Sequence, residues 1–177
     1  MSDGNELVRL VKPRALPAGS LKIDTTAQER AALAKRFGVI AIEALTAKVD
    51  FAQKEDAVLV VGTFRATVEQ PCAVTRDPLT YEVSEPFSLN FVPAGLLGDY
   101  EEDQEFELTA EDLDQIEYEG DVFDLGEAIA QELALAIDPY REGPEADALR
   151  AETGIESDET RTPSGPLAEA MAALTKK

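Results

Sequence analysis

Thirty-six carboxylates, one thiol and no imidazole define the chemistry open to this 177-residue chain. Without histidine no Ser-His-Asp or Cys-His relay can form, and no imidazole can ligate a metal. Cys72, the single cysteine, lacks a base to make it a nucleophile and a second thiol for a disulfide or a thiolate cage. Its expected role is structural, as a small half-buried residue in a turn at a strand end. The glycines are scattered, and neither GxGxxG nor the P-loop pattern occurs, so nucleotide binding has no visible seat. Paired acids suit glycosidase-like acid/base work, but such pairs sit in aromatic-lined clefts and this chain has no Trp. The acidic run from Asp99 to Asp121 lacks the EF-hand spacing, which points to diffuse attraction of cations rather than a defined site. No catalytic residue, no metal site and no cofactor is expected.

Binding is the remaining chemistry, and the placement of charge favours it. Residues 1–76 carry a net +2, residues 77–140 carry 19 acids and no base, and residues 141–177 carry a net −3. A surface drawn from the middle stretch repels phosphate and attracts basic proteins. Its plainest use is as a solvated face that keeps the chain soluble. Its functional use is as a partner surface for a basic protein, with Glu101, Glu102, Asp103 and Glu105 at its centre. Direct RNA contact is the alternative, and Lys35, Arg36, Lys48, Lys54, Arg65 and Arg76 are the cations available to it. DNA and membrane are not expected partners: no stretch approaches the roughly 20 apolar residues of a membrane span, and the N-terminus has no apolar run behind a basic start. A cytoplasmic location follows as an expectation.

The elements that would carry these residues are marked by period and by caps. Leu7 to Leu10 suggests a short strand before a turn-rich segment. Thr26 and Glu29 form a capping box ahead of a helix over about 27–37, with Gly38 after it. Alternation through Leu45, Ala47, Val49 and Phe51 predicts a strand. A β-branched run from Ala57, in which Gly62 marks a bulge or a close contact, predicts its partner. Leu79, Tyr81, Val83, Phe87, Leu89 and Phe91 predict a third strand. Short turns join the three, so an antiparallel meander follows, because parallel pairing needs a crossover of about a dozen residues or more. The acidic pieces EFEL and LDQIEY read as edge strands. Asp124 and Glu127 resemble a second capping box, opening a helix over 125–137 whose apolar stripe covers one face of the sheet. The expected fold is α+β: an antiparallel meander sheet or partial β-barrel covered by one or two helices, with a flexible C-terminal tail. Residues 1–140 form the domain, 141–165 a flexible acidic linker, and 166–177 a short helix.

Three stretches together resemble the YceD family of large ribosomal RNA subunit accumulation proteins. They are VGTFRATVEQPCAVTRDPLTYEVSEPFSLNFVP, then DVFDLGEAIAQELALAIDPY, then GPLAEAMAALTKK. The second is the most specific, with Asp124, Leu125, Glu127, Leu133, Asp138 and Pro139 in the family's places. Asp124, Glu127, Asp138 and Pro139 therefore join the four central acids as the expected partner-binding set. The resemblance implies a role in large-subunit ribosome assembly and no known reaction. Many members carry C-x-x-C after the second long strand, with later cysteines, as a metal or thiol pair. Here Thr75 stands in the second place, so metal is not carried over. An acidic escort for a basic protein unrelated to ribosomes is the competing reading.

Overall fold

Two-residue periodicity over three long stretches builds the centre of the molecule. The computed structural model describes residues 6–55, 57–95, 115–154, 165–166, 168 and 171. Strands β2 (Leu21–Asp24), β3 (Ala41–Lys54), β4 (Ala57–Pro71), β5 (Pro78–Pro93) and β6 (Gln115–Tyr118) form one five-stranded sheet in the order β2-β3-β4-β5-β6. The β3–β4 and β4–β5 pairs are antiparallel along nearly their whole lengths, which is the expected meander, and the sheet stays open. At its edge β6 runs parallel to β5, which makes the sheet mixed beyond the antiparallel meander of the three long strands. Residues 94–114 between them are long enough for the crossover that parallel pairing demands. LDQIEY thus supplies β6, whereas EFEL lies outside the described residues.

One sheet face is dry and the other wet. Ile42, Leu45, Val49, Val60, Phe64 and Phe91 are among the buried side chains of the inner face. Helix α1 (Ala27–Phe37) packs on β3, and helix α2 (Leu125–Ala136) lies against β4 and β5, burying Leu125, Ile129 and Leu133. Each such side chain contributes about 1.5–3 kcal/mol when removed from water. The opposite face presents Lys22, Lys48, Thr63, Arg65 and Ser84 to solvent. Gly62 resolves as a close contact: a Cβ there would lie 2.7 Å from both the Lys48 carbonyl oxygen and the Phe87 ring. The register shift in the ladder falls instead between Ile42 and Ala44.

Local signals set the first helix. Thr26 Oγ1 accepts from the Glu29 N–H while the Glu29 carboxylate accepts from the Thr26 N–H, and Gly38 closes the helix at φ 69°. Arg9 also donates to Glu29 at 2.6 Å, and that bond is the main reason the Glu29 carboxyl sits at about 2. The strand expected over Leu7–Leu10 is shorter and shifted: β1 (Leu10–Val11) pairs antiparallel with β7 (Phe123–Asp124), and Leu7 is fully buried.

Within the stretch expected to be a tether at 141–165, residues 141–154 touch the β4–β5 turn and form a helix. The Ala73 N–H donates to the Arg141 carbonyl at 3.0 Å, and the Arg141 guanidinium lies 3.9 Å above the Tyr81 ring. Helix α3 (Ala146–Thr153) follows, with Ala146 buried and Arg150 paired to Glu142 and Asp147. Composition does not announce these contacts, because they are backbone hydrogen bonds, one sulfur acceptor, ion pairs and one ring contact rather than an apolar stripe. Residues 155–164 of the expected linker lie outside the described residues, and so does most of the expected 166–177 helix, in which Pro166, Ala168 and Met171 are helical.

Candidate functional site

The start of α2 gathers the most specific stretch of the sequence. Phe123 stacks on Phe91 with ring centroids 4.1 Å apart. Beside it Asp124 Oδ1 accepts three backbone N–H groups, from Arg9 (2.8 Å), Gly126 (2.9 Å) and Glu127 (3.3 Å). Glu127 does not reach back to complete a capping box. Its two carboxylate oxygens take Arg36 Nη1 and Nη2 at 2.8 and 2.7 Å, an ion pair that lowers its pKa, and Arg36 also holds Glu6 at 3.0 Å. A charged, bidentate donor is the stronger partner. Both acids thus hold α1, α2 and the N-terminal segment together.

The described members of the expected partner-binding set stand at the two ends of α2. Asp138 and Pro139 lie at the far end of α2, roughly 18 Å from Asp124 by helical rise. Both are exposed; the Asp138 carbonyl accepts from Gln70 Nε2 and its carboxylate caps the Tyr140 N–H. Glu101, Glu102, Asp103 and Glu105 lie outside the described residues. Glu117, Glu119 and Asp121, from the same acidic stretch, are exposed along β6 and the turn that follows.

Cys72 is fully buried rather than half-buried. Its Sγ accepts from the Thr75 N–H at 3.4 Å and from the Gly143 N–H at 3.3 Å. Hydrogen bonding by the Thr75 side chain, then by these backbone groups, holds the thiol down at about 7 against desolvation. The sulfur therefore ties the 140s segment to the β4–β5 turn.

A third feature lies on the wet sheet face. Lys22 of β2 stands directly opposite Lys48 of β3, and Arg65 of β4 stands opposite Thr46, the neighbour two residues from Lys48. These cations and the hydroxyls of Ser20, Thr46 and Thr63 line a hollow of about 440 Å³. An adjoining hollow of about 410 Å³ shares Thr46 and Arg65 and reaches Glu82 and Ser84. Of the cations expected for RNA, only Lys48 and Arg65 meet here, while Arg36 is engaged by Glu6 and Glu127. Sequence reading missed Lys22 because β2 had not been recognised, although Leu21, Ile23 and their polar neighbours alternate.

A family model described as large ribosomal RNA subunit accumulation protein YceD matches residues 60–174. The chain belongs to the YceD family. No curated protein and no solved structure matches it. The YceD match begins inside β4 and takes in the Cys72 corner and the Phe123–Glu127 stretch, whereas Lys22 and Lys48 precede it. The family's description names an accumulation role and no reaction. The metal raised by the C-x-x-C resemblance does not fit this corner: one buried thiol already accepts two N–H groups, and no second cysteine or histidine exists in the chain. A chelator should accordingly leave the melting temperature unchanged. A fall of several degrees would reveal a metal bound to the native state, because such a ligand stabilises by mass action.

Proposed function

We propose that this chain is a non-enzymatic factor of large-subunit ribosome assembly that binds a basic protein through the acidic stretch 77–140. Membership of the YceD family supports the ribosomal setting. The observation that carries the mode of action is the charge of that stretch, 19 acids without one base. A basic ribosomal protein freed of its RNA is prone to non-specific contacts, and an acidic surface that screens its charge keeps it available for assembly. Attraction of this kind acts mainly on the rate of encounter. The reading places the protein in the cytoplasm, where its ligand is made.

Replacing Glu101, Glu102, Asp103 and Glu105 with Gln or Asn is expected to slow association with a basic large-subunit protein by about tenfold at low ionic strength. The loss should shrink towards nothing as salt shortens the Debye length to about 3 Å at 1 M. Melting temperature should stay level or rise slightly, since like charges repel one another. Stopped-flow association rates across a salt series measure the effect, and a rate indifferent to the four substitutions would refute the role of these acids. Capture of the tagged chain from growing cells separates this reading from an escort for some other basic protein: the first requires pre-ribosomal particles or ribosomal proteins in the eluate.

A further inference from the structure

We infer that the hollow on the open sheet face, built by Lys22, Lys48 and Arg65, is a seat for the sugar-phosphate backbone of a single RNA strand. Like charges directly opposite one another in an antiparallel ladder are destabilising, and Lys22 and Lys48 are such a pair. Lys22 has a counter-ion, Asp24 at 2.9 Å, and the nearby Asp50 carboxylate accepts the Ser20 hydroxyl at 2.5 Å. Lys48 and Arg65 have no ion pair among the described residues. In a chain with 36 acids and 16 bases, a knot of cations left open to solvent is a place prepared for an anion.

The shape and lining favour a polymer backbone over an isolated ion. The two hollows lie side by side, sharing Thr46 and Arg65, and cross the sheet from Ser20 to Ser84. Adjacent strands are spaced by about 4.8 Å, so Lys22 and Arg65, two strands apart, present charge over about 10 Å, a span suited to neighbouring phosphates of one strand. Hydroxyls of Ser20, Thr46 and Thr63 lie among the cations, and Lys, Arg, Ser and Thr are the usual partners of phosphate and sugar oxygens. Among the described residues no aromatic side chain lines either hollow, so the lining offers no platform for stacked bases and favours binding independent of sequence. Glu82 marks the end of the favourable track. Asp24 and Asp50 flank the Lys22 end and Glu82 the far end, while the acids of the rest of the chain act little here, because physiological salt screens exposed charge beyond about 8 Å. This inference leans on the ribosomal reading only for the identity of the RNA.

The test is fluorescence anisotropy with the full chain and a labelled single-stranded oligonucleotide of large-subunit ribosomal RNA, across a salt series. K48Q/R65Q should weaken binding at least tenfold and flatten the slope of log affinity against log salt by roughly 1.4, the contribution of two single-strand phosphates. K35Q/K54Q, which removes the same charge from α1 and from the end of β3, should stay within twofold of the native chain. Orthophosphate at the same total phosphate concentration should compete poorly. No RNA binding by the native chain, equal losses in the two double variants, or full displacement by orthophosphate would each overturn the assignment. Association of K48Q/R65Q with the basic protein is read in parallel: its survival while RNA binding is lost separates this seat from the acidic one, and its native rate in a chain that never binds RNA leaves the proposed function standing alone.

Discussion

Alanine at position 126 should lower the stability of this protein by about 3 kcal/mol or more, the sum of overpacking and of two hydrogen bonds of the Arg9 backbone displaced with it. Gly126 lies in the first turn of α2, where the N-terminal segment crosses the helix. A Cβ there would stand 2.4 Å from the Leu7 carbonyl oxygen and 2.8 Å from the Arg9 nitrogen. These are backbone atoms, and no rotamer change relieves the clash. Moving the segment would break the Arg9 N–H bond to Asp124 (2.8 Å) and the Leu125 N–H bond to the Arg9 carbonyl (3.0 Å), and would lift Leu7 from full burial. Alanine's better helix propensity returns about 1 kcal/mol at most, too little to reverse the sign. For a chain of this size the melting temperature should fall on the order of 10 °C. A thermal melt within a degree or two of the native protein would show that the N-terminal segment does not pack on α2.

Asp124→Ala should be nearly as damaging, at about 2–4 kcal/mol, and for a different reason. The substitution removes a helix N-cap, worth about 1 kcal/mol, and leaves the part-buried Arg9 N–H without its acceptor, worth about 1–3 kcal/mol more. Asp124→Asn keeps an oxygen at the same place and caps as well as aspartate, so it should recover most of the loss. The pair of variants separates two roles for a residue singled out from the sequence as partner-binding. If position 124 serves by its geometry, denaturant unfolding ranks Asn near the native protein and Ala far below. If it serves also by its charge towards a partner, Asn is stable yet slow to associate, whereas an Asn variant as unstable as Ala would contradict the positioning role.

The parts of the fold legible in advance are those whose signals lie close together along the chain. The Thr26–Glu29 box and Gly38 bound α1 within one turn at each end, and the alternation in β3, β4 and β5 set both the strands and their buried faces. Short turns then left only antiparallel neighbours. Where the reading departed from the structure, the deciding partner was distant. Glu127 looked like the second half of a capping box because Asp124 stands three residues before it. It pairs instead with Arg36, 91 residues away, which no local pattern announces. β6 joined β5 in parallel through a connection whose course the sequence leaves free. The 141–146 segment reads as a tether because its contacts are backbone bonds, a Cys72 sulfur and a cation over Tyr81, none of which leaves an apolar period.

The candidate sites divide along the same line. Absence of histidine, of a second thiol and of a phosphate loop is a property of composition, and so is the acidic middle of the chain; no folding can add a missing residue type or move a base into a stretch that has none. Which cations stand together is a property of register. Lys22, Lys48 and Arg65 are separated by 26 and 17 positions in sequence and meet only because β2 pairs with β3, and β3 with β4, in one alignment. A slip of one residue would turn Lys48 into the core and dissolve the cluster. Sequence alone therefore determined which residue types this chain lacks and where its negative charge lies, while the tertiary pairing of strands decided where its positive charge became a surface, because side chains on different strands are neighbours only through hydrogen bonds formed across the sheet.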